Sequence, residues 1–218
     1  MATALTSFHT ELDIRIVDVG PTFLTRALLR ACREFCENVP VYTEDLAAIS
    51  IVADDATYTL SPTSTAPSTC EIVKVLRAEV SDVPLRITTI DELNILYYDS
   101  NWTEAEATTP YACYILPDRS TLRLFPIPTD AVTSGLFVSV QLRPALTATS
   151  VPDVLYNQYM TEILDGAKAQ IYGQVEQAWA NIQWSEFYRN KFSKGIFTAK
   201  ARLDQGYGNG VSQPGNFL

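Results

Sequence analysis

The chain has 218 residues and carries 25 acidic against 16 basic side chains, a net charge of −9. This balance argues against a broad, non-specific grip on nucleic acid, which needs many lysines and arginines near phosphates. Apolar residues make up 47% and charged residues 19%, a composition typical of a globular protein with a sizeable core. The sequence shows neither a long apolar run nor a basic start followed by one, so we expect no membrane-spanning helix and no secretion signal.

The first clear element along the chain is an amphipathic helix predicted over residues 22–37. Residues 1–20 before it are predicted to be an irregular lead-in with room for a short helix. Helical spacing predicts an apolar stripe of Phe23, Ala27, Leu28, Ala31, Cys32 and Phe35. Pro21 and Thr22 suit the helix start, and Asn38 with Pro40 suits its end. We therefore expect this helix to pack one face against another element.

The middle of the chain has the pattern of an antiparallel β domain. From about Leu46 to Ala145, short segments rich in β-branched and aromatic residues alternate with turn-rich pieces. Inside this region Thr89-Ile90-Asp91-Glu92 resembles a capping box and predicts a short helix. The segment ILPDRSTLRLFPIP predicts a hairpin that turns at Pro117–Ser120. Pro126 and Pro128 cannot donate ladder hydrogen bonds, so they either end the second strand or place it at a sheet edge.

Two further helices are predicted after Pro144. The first begins near Pro152 and has the apolar stripe Leu155, Tyr159, Ile163, Ala167 and Ile171; the second follows Asn181 and has the stripe Trp184, Tyr188, Phe192, Ile196, Ala199 and Leu203. The fold class is therefore predicted as α+β, a helical bundle from both chain ends with an inserted antiparallel β domain. The predicted parts are residues 1–45 and 149–205 for the bundle, 46–148 for a sandwich or small barrel, and 206–218 for an extended arm.

Residues with catalytic or metal-binding chemistry are sparse. His9 is the single histidine, so any Ser-His-Asp or Cys-His arrangement would have to use it. Cys32 and Cys36 have metal-compatible spacing, but a zinc site needs four ligands, so we interpret them as small apolar core residues, with reduced thiols. Asp54-Asp55 is interpreted as a turn. The sequence predicts no catalytic residue, no metal site and no cofactor.

Segments spread over most of the chain resemble one known family. They are LLRACREFCENVPVYTEDL, PDRSTLRLFPIP with LFVSVQLRPALTATSVPDVL, and GAKAQIYGQVEQAWANIQWSEFYRNKF with GIFTAKARLDQGYGNG. The positions that carry the resemblance are Arg33, Phe35, Cys36, Pro126, Pro128, Trp179, Asn181, Phe192, Ala199, Lys200, Ala201 and Arg202. In these segments the chain resembles the head-to-tail adaptor (connector, or head-completion) proteins of tailed bacteriophages. The first twenty residues depart from the family, because they lack its Leu-Pro-rich helix-turn.

The resemblance implies a structural protein of the virion, located at the head–tail interface and assembled in the host cytoplasm. It implies a ring of twelve copies under the portal protein that supports tail or nozzle proteins and lines the DNA channel, without enzymatic activity or cofactor. DNA would pass through the lumen without specific binding, and no membrane is involved. The glycine-rich end of the chain is interpreted as an arm that binds the portal through Tyr207, Asn209, Val211, Gln213, Asn216, Phe217 and Leu218. A frayed chain end is the alternative interpretation.

Basic side chains that fall off the two helical stripes are candidates for contacts between subunits. They are Arg26, Arg30, Arg33, Lys191, Lys194, Lys200 and Arg202, and plain solvated faces are the alternative interpretation. Two other functions stay open from the sequence. One is a tail tube or nozzle component; the other is a carbohydrate-binding β domain in which Trp102, Tyr97 and Tyr98 would stack on a sugar.

Overall fold

The structure, a computed structural model, describes residues 2–12, 19–63, 70–98 and 101–205. The α-helices of this part are α1 Pro21–Asn38, α2 Ile90–Leu96, α3 Asp153–Tyr172 and α4 Ile182–Asp204, with short 3-10 helices at Leu5–His9 and Trp102–Glu104. The strands are β1 Ala2–Ala4, β2 Thr43–Asp45, β3 Ile49–Ile51, β4 Thr57–Thr59, β5 Cys70–Val80, β6 Val83–Pro84, β7 Arg86–Ile87, β8 Glu106–Ala107, β9 Ala112–Ile115, β10 Thr121–Phe125, β11 Ile127–Pro128, β12 Val132–Pro144 and β13 Ser150–Pro152. The protein is therefore a mixed α/β protein with antiparallel sheets, which confirms the predicted class at that level.

The chain divides into two compact units. One spans Val41–Pro152 together with Met1–Ala2 and is rich in strands; we call it the β unit. The other comprises Thr3–Pro40 and the chain from Asp153 onward, and we call it the helical unit.

The β unit is organised around the long strands β5 and β12, which pair antiparallel along most of their length. Strand β12 also pairs with β2 and β3, and β5 pairs with the short β6. A four-stranded sheet has the order β4-β10-β9-β7. The two-residue pairs β11–β8 and β7–β9 are parallel, whereas β10 pairs antiparallel with both β4 and β9.

The predicted hairpin is present as β9 and β10. The Asp118 carboxylate closes its turn, because it accepts hydrogen bonds from the backbone N–H groups of Ser120 (3.2 Å) and Thr121 (3.2 Å). Strand β10 lies between β4 and β9, so it is not an edge strand. It ends at Phe125, directly before Pro126, which lacks the N–H that continuing the ladder would require.

The helical unit is built from α1, α3 and α4, with α3 packed against both of the others. The start of α1 fits its sequence, since Pro21 occupies the first turn, where its missing N–H costs nothing. Residues Leu155, Tyr159, Ile163, Ala167 and Ile171 are all buried, as the helical spacing of α3 predicts. Tyr159 has non-helical angles (φ −126°, ψ 18°), so α3 is kinked at that point.

The three helices meet where a glycine allows close approach. A Cβ atom on Gly166 of α3 would lie 3.0 Å from ring carbons of Phe192 and 3.1 Å from the Cβ of Ala31. Phe192 is completely buried, and its ring centroid lies 6.4 Å from that of Phe35 in α1. Gly166 therefore makes room for the central aromatic side chain of α4.

Candidate functional site

The helical unit holds all of the described basic residues that the sequence singled out. On α1, Arg26 and Arg30 are exposed and Arg33 is half-buried. On α4, the exposed basic side chains are Lys191, Lys194, Lys200 and Arg202. Their role in contacts between subunits stays a prediction. The predicted arm, from Tyr207 to Leu218, lies outside the described residues.

An ion pair ties α4 to α1 at a position that the sequence did not single out. The guanidinium of Arg189 contacts both carboxylate oxygens of Glu34, at 2.9 Å and 3.1 Å. This two-point geometry fixes the relative rotation of the two helices better than a single contact would. No sequence signal identifies Glu34 as the partner of Arg189, because the two residues are 155 positions apart.

A polar cavity of about 500 Å³ adjoins this ion pair. Arg30, Gln170 and Ser185 line it together with Glu34 and Arg189. The Ser185 hydroxyl donates to the carbonyl oxygen of Ala169 at 2.8 Å, whereas the buried side-chain oxygen of Gln170 has no hydrogen-bond partner among the described residues. The cavity is thus lined by charged side chains of both signs.

The most conspicuous exposed feature of this unit is a cluster of aromatic rings at the start of α4. The ring of Tyr188 stacks on Tyr172 of α3 (centroids 5.8 Å apart, interplanar angle 7°) and on Trp184 (5.8 Å, 27°). Phe187 packs edge-on against Trp184 at 5.6 Å and against Tyr188 at 5.3 Å. Trp184 and Phe187 each remain 47% exposed, although they are large apolar side chains.

Two lysines border these rings. The ammonium of Lys191 lies 5.0 Å from the ring centroid of Phe187, and that of Lys168 lies 5.5 Å from the centroid of Tyr188, both within cation–π range. We call Lys168, Tyr172, Trp184, Phe187, Tyr188 and Lys191 the aromatic–lysine surface. Burial raises the pKa of the neighbouring Asp165 carboxyl, while the charges of Lys191 and Lys168 act in the opposite direction.

A cavity of about 510 Å³ opens beside the aromatic–lysine surface. Lys168, Tyr172, Trp184 and Tyr188 line it, together with Trp179 of the loop between α3 and α4. The indole N–H of Trp179 is buried and has no hydrogen-bond partner among the described residues. The cavity therefore combines flat aromatic walls with one cation, the ammonium of Lys168.

The structure corrects the predicted α4 stripe. Within it only Phe192 and Ala199 are buried, whereas Trp184, predicted to face the core, is exposed. The reason is that α3 ends at Tyr172, whose ring stacks on Tyr188, so that Trp184, one turn earlier in α4, extends past the end of α3. Phe187 does not belong to the predicted apolar stripe of α4. Its place outside the stripe is the sequence signal that predicts an exposed aromatic side chain.

The residues that the sequence offered for catalysis or metal binding have the surroundings of core or turn residues. The His9 ring nitrogen Nε2 lies 3.1 Å from the Thr25 hydroxyl, and burial lowers the pKa of this histidine. Cys32 and Cys36 are fully buried, and burial raises the pKa of both thiols, as expected for core residues. Asp55 accepts a hydrogen bond from the backbone N–H of Thr57 at 2.9 Å, in keeping with a turn. Among the described residues, no group of three or more His, Cys, Asp or Glu side chains could hold a metal ion.

Trp102 does not have the sugar-stacking position considered for it. It is only 8% exposed and lies in an aromatic core cluster with Tyr114 and Phe125, at centroid distances of 6.1 Å and 5.8 Å. Its indole N–H donates to the side-chain oxygen of Asn94 at 2.9 Å. Both faces of the ring are therefore unavailable to a carbohydrate. Of the other two aromatics considered, Tyr97 packs on this cluster and Tyr98 is exposed.

In the part of the chain that the structure describes, every helix falls short of the length and apolar character that crossing a membrane requires.

The comparisons with known proteins identify the family. A search of curated proteins gives no match. A family model with the description "SU10 adaptor protein" matches residues 2–213, nearly the whole chain. This match confirms the resemblance to phage head-to-tail adaptors, and the chain belongs to the SU10 adaptor protein family.

Proposed function

We propose that this adaptor forms a ring of twelve copies between the portal and the tail, where it supports tail or nozzle proteins and lines the DNA channel. The observation that carries the proposal is the family match over residues 2–213. No catalytic step and no cofactor belong to this role. The exposed aromatic and basic side chains of α4 give the helical unit a surface suited to binding another protein rather than a small molecule.

The helices from the two chain ends act in this proposal as one bundle. Helix α3 packs against α1 and α4, and the Arg189–Glu34 ion pair joins α4 to α1. A bundle fixed in this way holds its surface side chains in constant positions, which a ring contact requires. The exposed basic side chains Arg26, Arg30, Lys191, Lys194, Lys200 and Arg202, with the half-buried Arg33, then contact neighbouring subunits.

The acidic excess of the chain fits a channel through which DNA passes without being bound. Residues 41–152 carry 14 acidic and 6 basic side chains, a net charge of −8, and the rest of the chain carries 11 and 10, a net charge of −1. Walls with an acidic excess repel phosphates, so they do not retain the passing duplex. A ring with a strongly basic lumen would contradict this part of the proposal.

The chain beyond α4 supplies an arm for the portal. Residues 206–218 contain four glycines, no charged side chain and the apolar pair Phe217-Leu218. Thirteen extended residues reach ~43 Å at about 3.3 Å each, enough to contact a neighbouring ring. Burial of Phe217 and Leu218 on the portal would offset part of the conformational entropy that the arm loses.

The test is a binding assay with portal rings encoded by the same genome, read by electron microscopy. It compares the full chain with a version that ends at Gln205 and with a full-length control in which Phe217 and Leu218 are both changed to alanine. A second stacked ring with the full chain alone supports both the adaptor role and the arm.

The three versions separate the parts of the proposal. Binding by the alanine control but not by the shortened version would mean that the backbone of the arm, not its apolar pair, contacts the portal. Binding by all three would remove the arm from the proposal and leave the adaptor role. Absence of binding by the full chain would contradict the portal contact itself.

A further inference from the structure

Among the exposed large apolar side chains of each unit, some lie close together in the sequence or on one helix. In the helical unit they belong to the aromatic–lysine surface, with Trp184 and Phe187 each 47% exposed. In the β unit they lie at the end of α2 and at the residue after its C-cap, where Ile95 is 74%, Leu96 57% and Tyr98 81% exposed. We call Ile95, Leu96 and Tyr98 the α2 tip. Exposed apolar patches of this kind indicate protein contacts.

The short helix that carries the α2 tip is held firmly from the other side. The hydroxyl of Thr89 accepts the backbone N–H of Glu92 at 3.2 Å and caps the helix. Leu93 is buried in the same aromatic cluster as Trp102, whose indole N–H is bonded to Asn94. The apolar side chains on the outer side are therefore presented on a fixed support, and their exposure is not a sign of a loose helix.

The two surfaces differ in the charged side chains around them, although the Asp165 carboxyl lies near both lysines of the first. Lys168 and Lys191 border the aromatic rings on α4, and the exposed Lys194 follows one turn later. Asp91, an exposed acidic side chain, lies one turn before Ile95 in α2, within a β unit whose net charge is −8. Complementary charge around apolar anchors favours one register and disfavours pairing of like surfaces.

We propose that the aromatic–lysine surface of one copy receives the α2 tip of an adjacent copy. Two different surfaces of the same chain then face each other, a head-to-tail contact that closes into a ring when the rotation between copies fits. The aromatic rings act as anchors, and Lys191 pairs with Asp91 at the rim. This inference rests on the proposed ring, and it names the side chains that join its subunits.

Two other molecules could occupy the aromatic–lysine surface: single-stranded DNA and a tail protein. Single-stranded DNA would stack its bases on Trp184 and Tyr188 and place phosphates near the lysines. A tail protein would have to supply its own acidic and apolar segment. A second copy of this chain is favoured because the complementary surface is already present in the sequence.

The direct test is photo-cross-linking in a mixture of unlabelled and ¹⁵N-labelled copies. Phe187 is replaced by p-benzoylphenylalanine, irradiated in the concentrated free chain and again on portal rings, and the cross-linked peptides are mapped by mass. A matched control carries the same probe at Phe137 of β12, which is 45% exposed and thus comparably accessible. We expect mixed-label cross-links from position 187 to the peptide that contains residues 95–98, and none to it from position 137.

A charge-reversal pair tests the register. Lys191→Glu and Asp91→Lys should each weaken association between copies at least about tenfold, as measured by sedimentation velocity and by the mass added to portal rings. A chain with both changes should regain most of the lost association, because the pair is restored with its charges exchanged. Equal association of single and double variants would overturn the pairing.

The remaining outcomes separate this inference from the portal contact. Absence of mixed-label cross-links to residues 95–98, both in the free chain and on the portal, overturns the proposed interface. Quenching of tryptophan fluorescence by a thymidine oligonucleotide that is lost in Trp184→Ala would overturn it in favour of DNA, and cross-links only to an added tail protein would do so in favour of that protein. Mixed-label cross-links in a chain that does not bind the portal would uphold the interface and contradict only the portal role.

Discussion

Replacement of Phe192 by alanine should lower the free energy of unfolding of the helical unit more than a replacement on its exposed face does. Phe192 is 0% exposed and contacts α3 at Gly166 and α1 at Phe35. Removal of a fully buried phenyl ring loses its transfer free energy and leaves a cavity that the rigid junction of three helices fills poorly. The expected loss is about 3–5 kcal/mol in the free energy of unfolding.

Phe187 provides the matched control on the same helix. Its ring is 47% exposed, so Phe187→Ala should cost less than about 1 kcal/mol in a dilute sample where copies do not associate. Urea unfolding followed by near-ultraviolet circular dichroism and tryptophan fluorescence measures both variants. Equal costs, or a loss below about 1 kcal/mol for Phe192→Ala, would refute the burial of this ring between the helices.

Four more changes test other parts of the structure. Asn94→Ala leaves the buried indole N–H of Trp102 without its acceptor and should cost about 1–3 kcal/mol in urea unfolding, so an unchanged midpoint would contradict that hydrogen bond. Gly166→Ala places a Cβ atom 3.0 Å from ring carbons of Phe192, so it should be destabilising despite a helix-propensity gain of about 1 kcal/mol. A variant more stable than the original chain would contradict the close packing of the three helices at this point. Burial raises the pKa of Cys113 to about 12, so its thiol stays protonated in the fold while the unfolded thiol ionises near 9.0; stability should therefore fall as pH rises from about 9 towards 12, less steeply in Cys113→Ala. Cys70 is only half-buried, so a thiol reagent should modify it first, and equal modification of a Cys70→Ser control would be inconsistent with this order.

Elements whose positions depend on local signals could be predicted from the sequence. Helix α1 was predicted over residues 22–37 and spans Pro21–Asn38, because its apolar stripe and its terminal prolines are local features. The region predicted to be β-rich contains β5, Cys70–Val80, and the predicted Thr89 cap begins α2. The five buried positions of α3 follow the helical spacing, and Pro126 ends β10 because it has no N–H to donate.

Features that depend on partners distant in the chain could not be predicted. Trp184 fits the α4 stripe, but α3 ends too early to cover it. Trp102 is buried because the β9–β10 hairpin brings Tyr114 and Phe125 to it. The ion pair of Arg189 depends on the packing of α4 against α1, which no local pattern encodes.

The candidate site was predicted in part. The charged faces of α1 and α4 are recognisable from helical spacing, and their basic side chains are exposed except for the half-buried Arg33. The aromatic–lysine surface was not, because the periodicity assigns Trp184 and Tyr188 to the core, and only the three-dimensional ends of α3 and α4 show which rings stay outside.

The central claim is that the chain forms the ring between portal and tail, and native mass spectrometry of portal rings saturated with the protein tests it most directly. Twelve copies of a 24.2 kDa chain should add about 290 kDa to the portal mass in a single step, without populated partial rings. A cooperative gain of this size is the result that the proposed ring predicts. No gain in mass, or a gradual gain in single-subunit steps that never reaches twelve, would contradict it.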